Sequence, residues 1–84
     1  MSELQIAAKN HVSLLLPNAT VLVLTPQDDG MSIIVVTQGG CSVTGEISYE
    51  GAVQEDGKLS TPAYHVVTEL ILNIIEQLAA RKPQ

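Results

Sequence analysis

The stretch TVLVLTPQDDGMSIIVVTQGGCSVTGEISY, residues 20–49, decides the fold. Two aliphatic runs, Val21-Leu22-Val23-Leu24 and Ile33-Ile34-Val35-Val36, flank Pro26-Gln27-Asp28-Asp29-Gly30. Such runs suit strands, here 20–25 and 31–37, and Gly30 suits the positive φ of a hairpin turn. Gly39-Gly40 makes a second turn into a third strand, 41–49. Both connections are too short for a crossover, so the sheet is an antiparallel meander.

Working outward, all six glycines of the chain lie between 30 and 57. Glycine weakens helix interiors, so the glycine-free flanks are expected to be helical. Residues 2–16 repeat Leu4, Ala8, Val12 and Leu15 at helical spacing. Ser2 and Gln5 form a capping-box pattern, and Pro17 stops the helix. A second helix starts with Thr61 as its cap and Pro62 at its first position. It runs to about residue 82, where Arg81 and Lys82 suit the negative end of the dipole, and Pro83 ends it. Between the sheet and this helix, residues 50–60 have two readings. Asp56-Gly57 suits a short extra hairpin, whereas an exposed acidic loop is the simpler reading and is preferred. The expectation is a single two-layer α+β domain over 1–84, ordered α-β-β-β-α, with a three-stranded antiparallel meander and flanking helices.

The apolar pattern exceeds what such a domain hides. The third strand alternates, with Cys41, Val43, Ile47 and Tyr49 opposing Ser42, Thr44, Glu46 and Ser48, as in a half-exposed strand. The first two strands do not alternate. The second helix carries a core stripe of Val67, Leu70, Ile71, Ile74 and Leu78. Val66, Leu72, Ile75 and Ala79 widen it, leaving a narrow polar strip of His65, Glu69, Asn73 and Glu76. Either the helices cover both faces of the sheet, or both lie on one face and a partner covers the other. A short meander favours the second arrangement and hence a homodimer. The residues expected to self-associate are Leu22, Leu24, Ile34, Val36, Leu72 and Ile75.

Charge points to a second kind of surface. The chain has 4 Lys plus Arg against 9 Asp plus Glu, a formal charge of −5. Residues 10–57 hold no Lys or Arg but six acids, Asp28, Asp29, Glu46, Glu50, Glu55 and Asp56. Ordinary solubility accounts for such acids most simply; the functional reading is a docking surface for a basic protein. The same balance argues against direct nucleic-acid binding.

Catalytic and metal chemistry has little footing. Asp28-Asp29-Gly30 lacks the order of a calcium loop, and Gly39-Gly40 lacks the lysine of a phosphate loop. His65 and Glu69 are spaced for one helix face, yet no third ligand follows, and His11 reads as a boundary residue. Cys41, the single cysteine, has no cation nearby in sequence to activate it and reads as a buried thiol. No metal, no cofactor and no enzymatic activity are expected. The N-terminal residues lack a signal pattern, and no run approaches the roughly 20 apolar residues of a membrane helix, so a cytoplasmic, membrane-free protein is expected.

The element order resembles that of double-stranded RNA-binding domains over most of the chain. That family carries a lysine cluster at the start of its second helix. Here that stretch is Ser60-Thr61-Pro62-Ala63-Tyr64-His65, without Lys or Arg. The resemblance is therefore one of topology and implies no grip on RNA. The function expected is that of a small interaction or regulatory accessory protein, of a size found among phage and mobile-element products. The alternatives are an acidic mimic of nucleic acid and a small-ligand binder with an apolar pocket.

Overall fold

A computed structural model describes residues 3–24 and 28–81. Its elements are α1 (Glu3–Leu15), β1 (Thr20–Val23), β2 (Met31–Gln38), β3 (Cys41–Ser48) and α2 (Thr61–Ala80). The strands pair antiparallel in the order β1-β2-β3. The α-β-β-β-α, α+β architecture read from the sequence is thus the one found. Ser2, Pro26, Gln27, Lys82 and Pro83, to which the sequence assigned caps and turns, lie outside the described residues.

Helix α1 buries Leu4, Ala8 and Val12 at intervals of four. Leu16 continues that row, its amide donating to the Val12 carbonyl at 2.7 Å. Leu15, expected on this face, is exposed; it is the last residue of α1, and Leu16 just beyond it takes the buried place.

The β2–β3 turn uses Gly39 and Gly40 at φ 59° and 82°. Positive φ at both central residues is the turn whose twist matches two paired strands. It fixes Gln38 opposite Cys41, and therefore Val36 opposite Val43 and Ile34 opposite Gly45. Directly opposed residues share a face. One face of the sheet accordingly carries Val21, Ile34, Val36, Val43 and Ile47, which form a single core cluster with buried residues of both helices. Both helices cover the same face, and the other is left open.

This overturns two of the expected self-association residues. Ile34 and Val36 are 0% exposed and lie in the core. Their neighbours Ile33 and Val35 point to the open face instead.

Helix α2 is capped by Ser60 and not Thr61. The Ser60 hydroxyl accepts from the Ala63 amide at 3.4 Å, and Thr61 is the first helical residue. Val67, Leu70, Ile71 and Ile74 are buried as the stripe predicts. Residues 50–60 form a minimal hairpin in place of the preferred loop. Val53 bridges Leu59, the Gln54 amide donates to the Lys58 carbonyl at 2.7 Å, and the Ser60 amide donates to the Ala52 carbonyl at 2.7 Å. Burial of Ala52 and Leu59 anchors it, which the acidic tip conceals in sequence.

Candidate functional site: an open sheet face and an open strand edge

The uncovered face is divided along its width. Leu22 lies beside Val35 and then Thr44; Val35 and Thr44 are followed by Ile33 beside Glu46 in the next row of that face. The Leu24 amide donates to the Ile33 carbonyl at 2.9 Å, extending the β1 side. Thr20, Thr37 and Ser42 close one end. The β1–β2 half is therefore aliphatic and the β3 half polar. Leu22 is 51% and Leu24 39% exposed. Leu72 and Ile75 are also exposed. They belong to α2, on the opposite layer, so they form no common patch with Leu22 and Leu24.

The two edges of the sheet differ. Turn geometry and the Leu24–Ile33 bond place the even-numbered residues of β2 in bonds with β3 and the odd-numbered ones in bonds with β1. Val21 and Val23 consequently direct their backbone groups away from the sheet. Gln5 of α1 meets both: its Nε2 donates to the Val21 carbonyl at 2.7 Å, and its Oε1 accepts from the Val23 amide at 2.7 Å. Lys9 Nζ adds a bond to the Ala19 carbonyl at 2.7 Å. One side-chain amide thus supplies β1 with the donor and acceptor of a missing strand.

The β3 edge has no such cover. By the same parity Ser42, Thr44 and Glu46 direct their amides and carbonyls outward. None of these backbone groups has a hydrogen-bond partner among the described residues. Beside this edge runs a groove of about 590 Å³ between β3 and α2. Thr44, Gly45 and Glu46 form one wall; Val66, Glu69, Leu72, Asn73 and Glu76 form the other.

The six acids singled out in sequence do not converge. Asp28, Asp29 and Glu50 stand at one end of the sheet, where the Tyr49 amide donates to the Gly30 carbonyl at 3.0 Å. Asp29 Oδ1 is engaged by the Met31 amide at 3.0 Å. Glu55 and Asp56 occupy the tip of the 50–60 hairpin, where Asp56 Oδ1 accepts from the Lys58 amide. Of the six, only Glu46 borders the groove, from the open-face side of β3, across the strand edge from Glu69 and Glu76 on α2. Those two were read only as a polar strip; their spacing of seven, two helical turns, is the signal that they share a face.

A second cavity, of about 580 Å³, lies between α1, the start of α2 and the 50–60 hairpin. Its lining includes His11, Leu14, Asp56, Lys58, Leu59 and Tyr64. The His11 ring lies 4.5 Å from that of Tyr64, and its Nε2 is 3.0 Å from Thr68 Oγ1. Burial lowers the His11 pKa below its ordinary 6.5. The folded state then prefers the neutral ring. The stability this gives is present above pH 6.5 and is lost as the pH falls towards the depressed folded value. Unfolding free energy should therefore decrease on going from about pH 7 to about pH 5, and less so in His11→Asn. Denaturant titrations at the two pH values check this; equal slopes for both proteins would refute it.

Cys41 is buried, as expected, but a cation does reach it. Arg81 Nη1 lies 3.2 Å from its Sγ and 3.4 Å from the Gly39 carbonyl. Forty residues separate the two in sequence, which hid the contact. His11 meets α2 at Thr68, thirteen residues before Arg81, or about 20 Å along the helix. Histidine and thiol are thus held well apart along α2, the first near its middle and the second at its C-terminal end. His65 and Glu69 are exposed, and among the described residues no three His, Cys, Asp or Glu side chains converge as a metal site. Among the same residues no helix is long and apolar enough to cross a membrane. No family model, curated protein or solved structure matches the chain.

Proposed function

We propose that this domain is a protein-interaction module that pairs with a second copy of itself through the aliphatic half of its open sheet face. The observation that carries this is the Leu22, Leu24, Ile33 and Val35 patch, left uncovered by both helices. A contiguous aliphatic surface of this kind is a contact surface. Two such faces pack as the inner layers of a β-sandwich, about 10 Å apart, and a twofold axis makes one patch complementary to itself. The polar β3 half then lies towards the rim.

Light scattering tests the proposal. The 8.9 kDa chain should show twice its mass, and Leu22→Glu should weaken pairing by at least about 100-fold, because a buried unpaired carboxylate opposes it. Leu22 is half exposed in the single chain, so the unfolding midpoint of the monomer should change little. Monomer mass for the unaltered protein at high concentration would overturn the reading.

A second reading, binding of a small amphipathic ligand, is favoured by the His11–Tyr64 cavity, which sets an aromatic wall against Asp56 and Lys58. A ligand screen read by His11 ring shifts would test it.

A further inference from the structure

We propose that the free edge of β3 is a strand-addition site for an extended, lysine- or arginine-containing segment of another protein. This rests on the reading of the domain as an interaction module, but not on its self-pairing.

Three observations support it. The outward amides and carbonyls of Ser42, Thr44 and Glu46 have no partner among the described residues, and an added strand is what such groups bind. The opposite edge is closed by Gln5, so the openness of β3 is not a general feature of this sheet. The groove along β3 offers Val66 and Leu72 for apolar side chains, with Glu46, Glu69 and Glu76 around them.

Charge selects the occupant. Three carboxylates border the groove, and an added strand presents alternate side chains to its two sides. Basic residues on one side meet Glu69 and Glu76, and on the other Glu46. A second copy of this chain pairing β3 to β3 brings the same acids to the edge and gains no such complementarity. Main-chain bonds would hold the segment, and the acids would set its preference and its rate of capture.

The test uses the full chain and synthetic peptides of about seven residues, the length that spans 42–48 at roughly 3.3 Å each. One peptide alternates lysine and valine, a second glutamate and valine. Two more carry the lysine sequence with backbone N-methyl groups on alternate residues, in either phase. Binding is read by amide shifts and by hydrogen-exchange protection at Thr44 and Glu46. The lysine peptide should bind and protect those amides. One N-methyl phase should lose binding by at least about tenfold, and the glutamate peptide likewise. Glu69→Lys with Glu76→Lys should weaken the lysine peptide by about tenfold or more.

Thr44→Pro should abolish binding, because it removes an outward donor without removing a bond to β2. The N-methyl pair makes the same cut on the peptide, so the test stands even if this variant does not fold. Equal binding by both N-methyl phases, equal binding by the glutamate peptide, or no protection at Thr44 and Glu46 would overturn the proposal. Particle mass in the same samples separates this failure from failure of self-pairing.

Discussion

Gly45→Val should lift α2 from the sheet and lower the unfolding free energy by about 3 kcal/mol. Gly45 is a point of close approach between the two layers. A Cβ there would stand 3.1 Å from Val66 Cγ1 and 3.2 and 3.3 Å from the two Leu70 methyls. Valine adds two further methyls in that space. Leu70 is buried at the wall of the groove between β3 and α2, so its methyls can shift only partly towards the groove before the helix must move. Gly45 is not among the glycines with positive φ, so the effect is one of contact and not of backbone strain. Gly45→Ala, which asks the neighbours to give by a few tenths of an ångström, should cost less. Denaturant unfolding with an unchanged slope and a lower midpoint would report the loss. An unchanged midpoint for the valine variant would show that α2 is not seated there.

Ile34→Ala should cost about 3–4 kcal/mol, the range for a fully buried aliphatic side chain whose site cannot collapse. Ile34 is 0% exposed, between Val23 and Gly45 in the central strand. For a domain with a total stability of about 5–10 kcal/mol this removes a large share. Ile33→Ala, one residue earlier, should cost markedly less in the monomer, because Ile33 faces outward. The pair of variants tests the register directly, since a slip of one residue exchanges the two faces. Thermal unfolding of both proteins decides it; equal losses would contradict the assigned register.

That register was within reach of the sequence, although hydropathy alone misplaced Ile34 and Val36. The run Ile33-Ile34-Val35-Val36 has no polar residue to mark its outer face. β3 does alternate, however, and Gly39-Gly40 joins the strands by a two-residue turn. Counting back through that turn sets Val36 opposite Val43, and so in the core. Element order was legible for a similar local reason: prolines and glycines punctuate the chain where elements change. The edge chemistry was not legible. Gln5 meets β1 across 16 and 18 residues, and no periodicity links a helical glutamine to a strand edge. Likewise, Glu46 borders the same groove as Glu69 and Glu76 only because α2 runs back along β3, from Ala63 near Ile47 to Arg81 at the Gly39-Gly40 turn.

The closure of β1 by Gln5 has a consequence for assembly as a whole. Growth of a sheet from molecule to molecule needs two open edges on each unit, one to receive and one to offer. A unit with a single open edge has a valence of one. Copies of this chain joined β3 to β3 would present only β1 edges occupied by Gln5, so sheet growth between copies stops at two and yields no fibre. A side-chain amide on a neighbouring helix thereby sets the stoichiometry of the sheet.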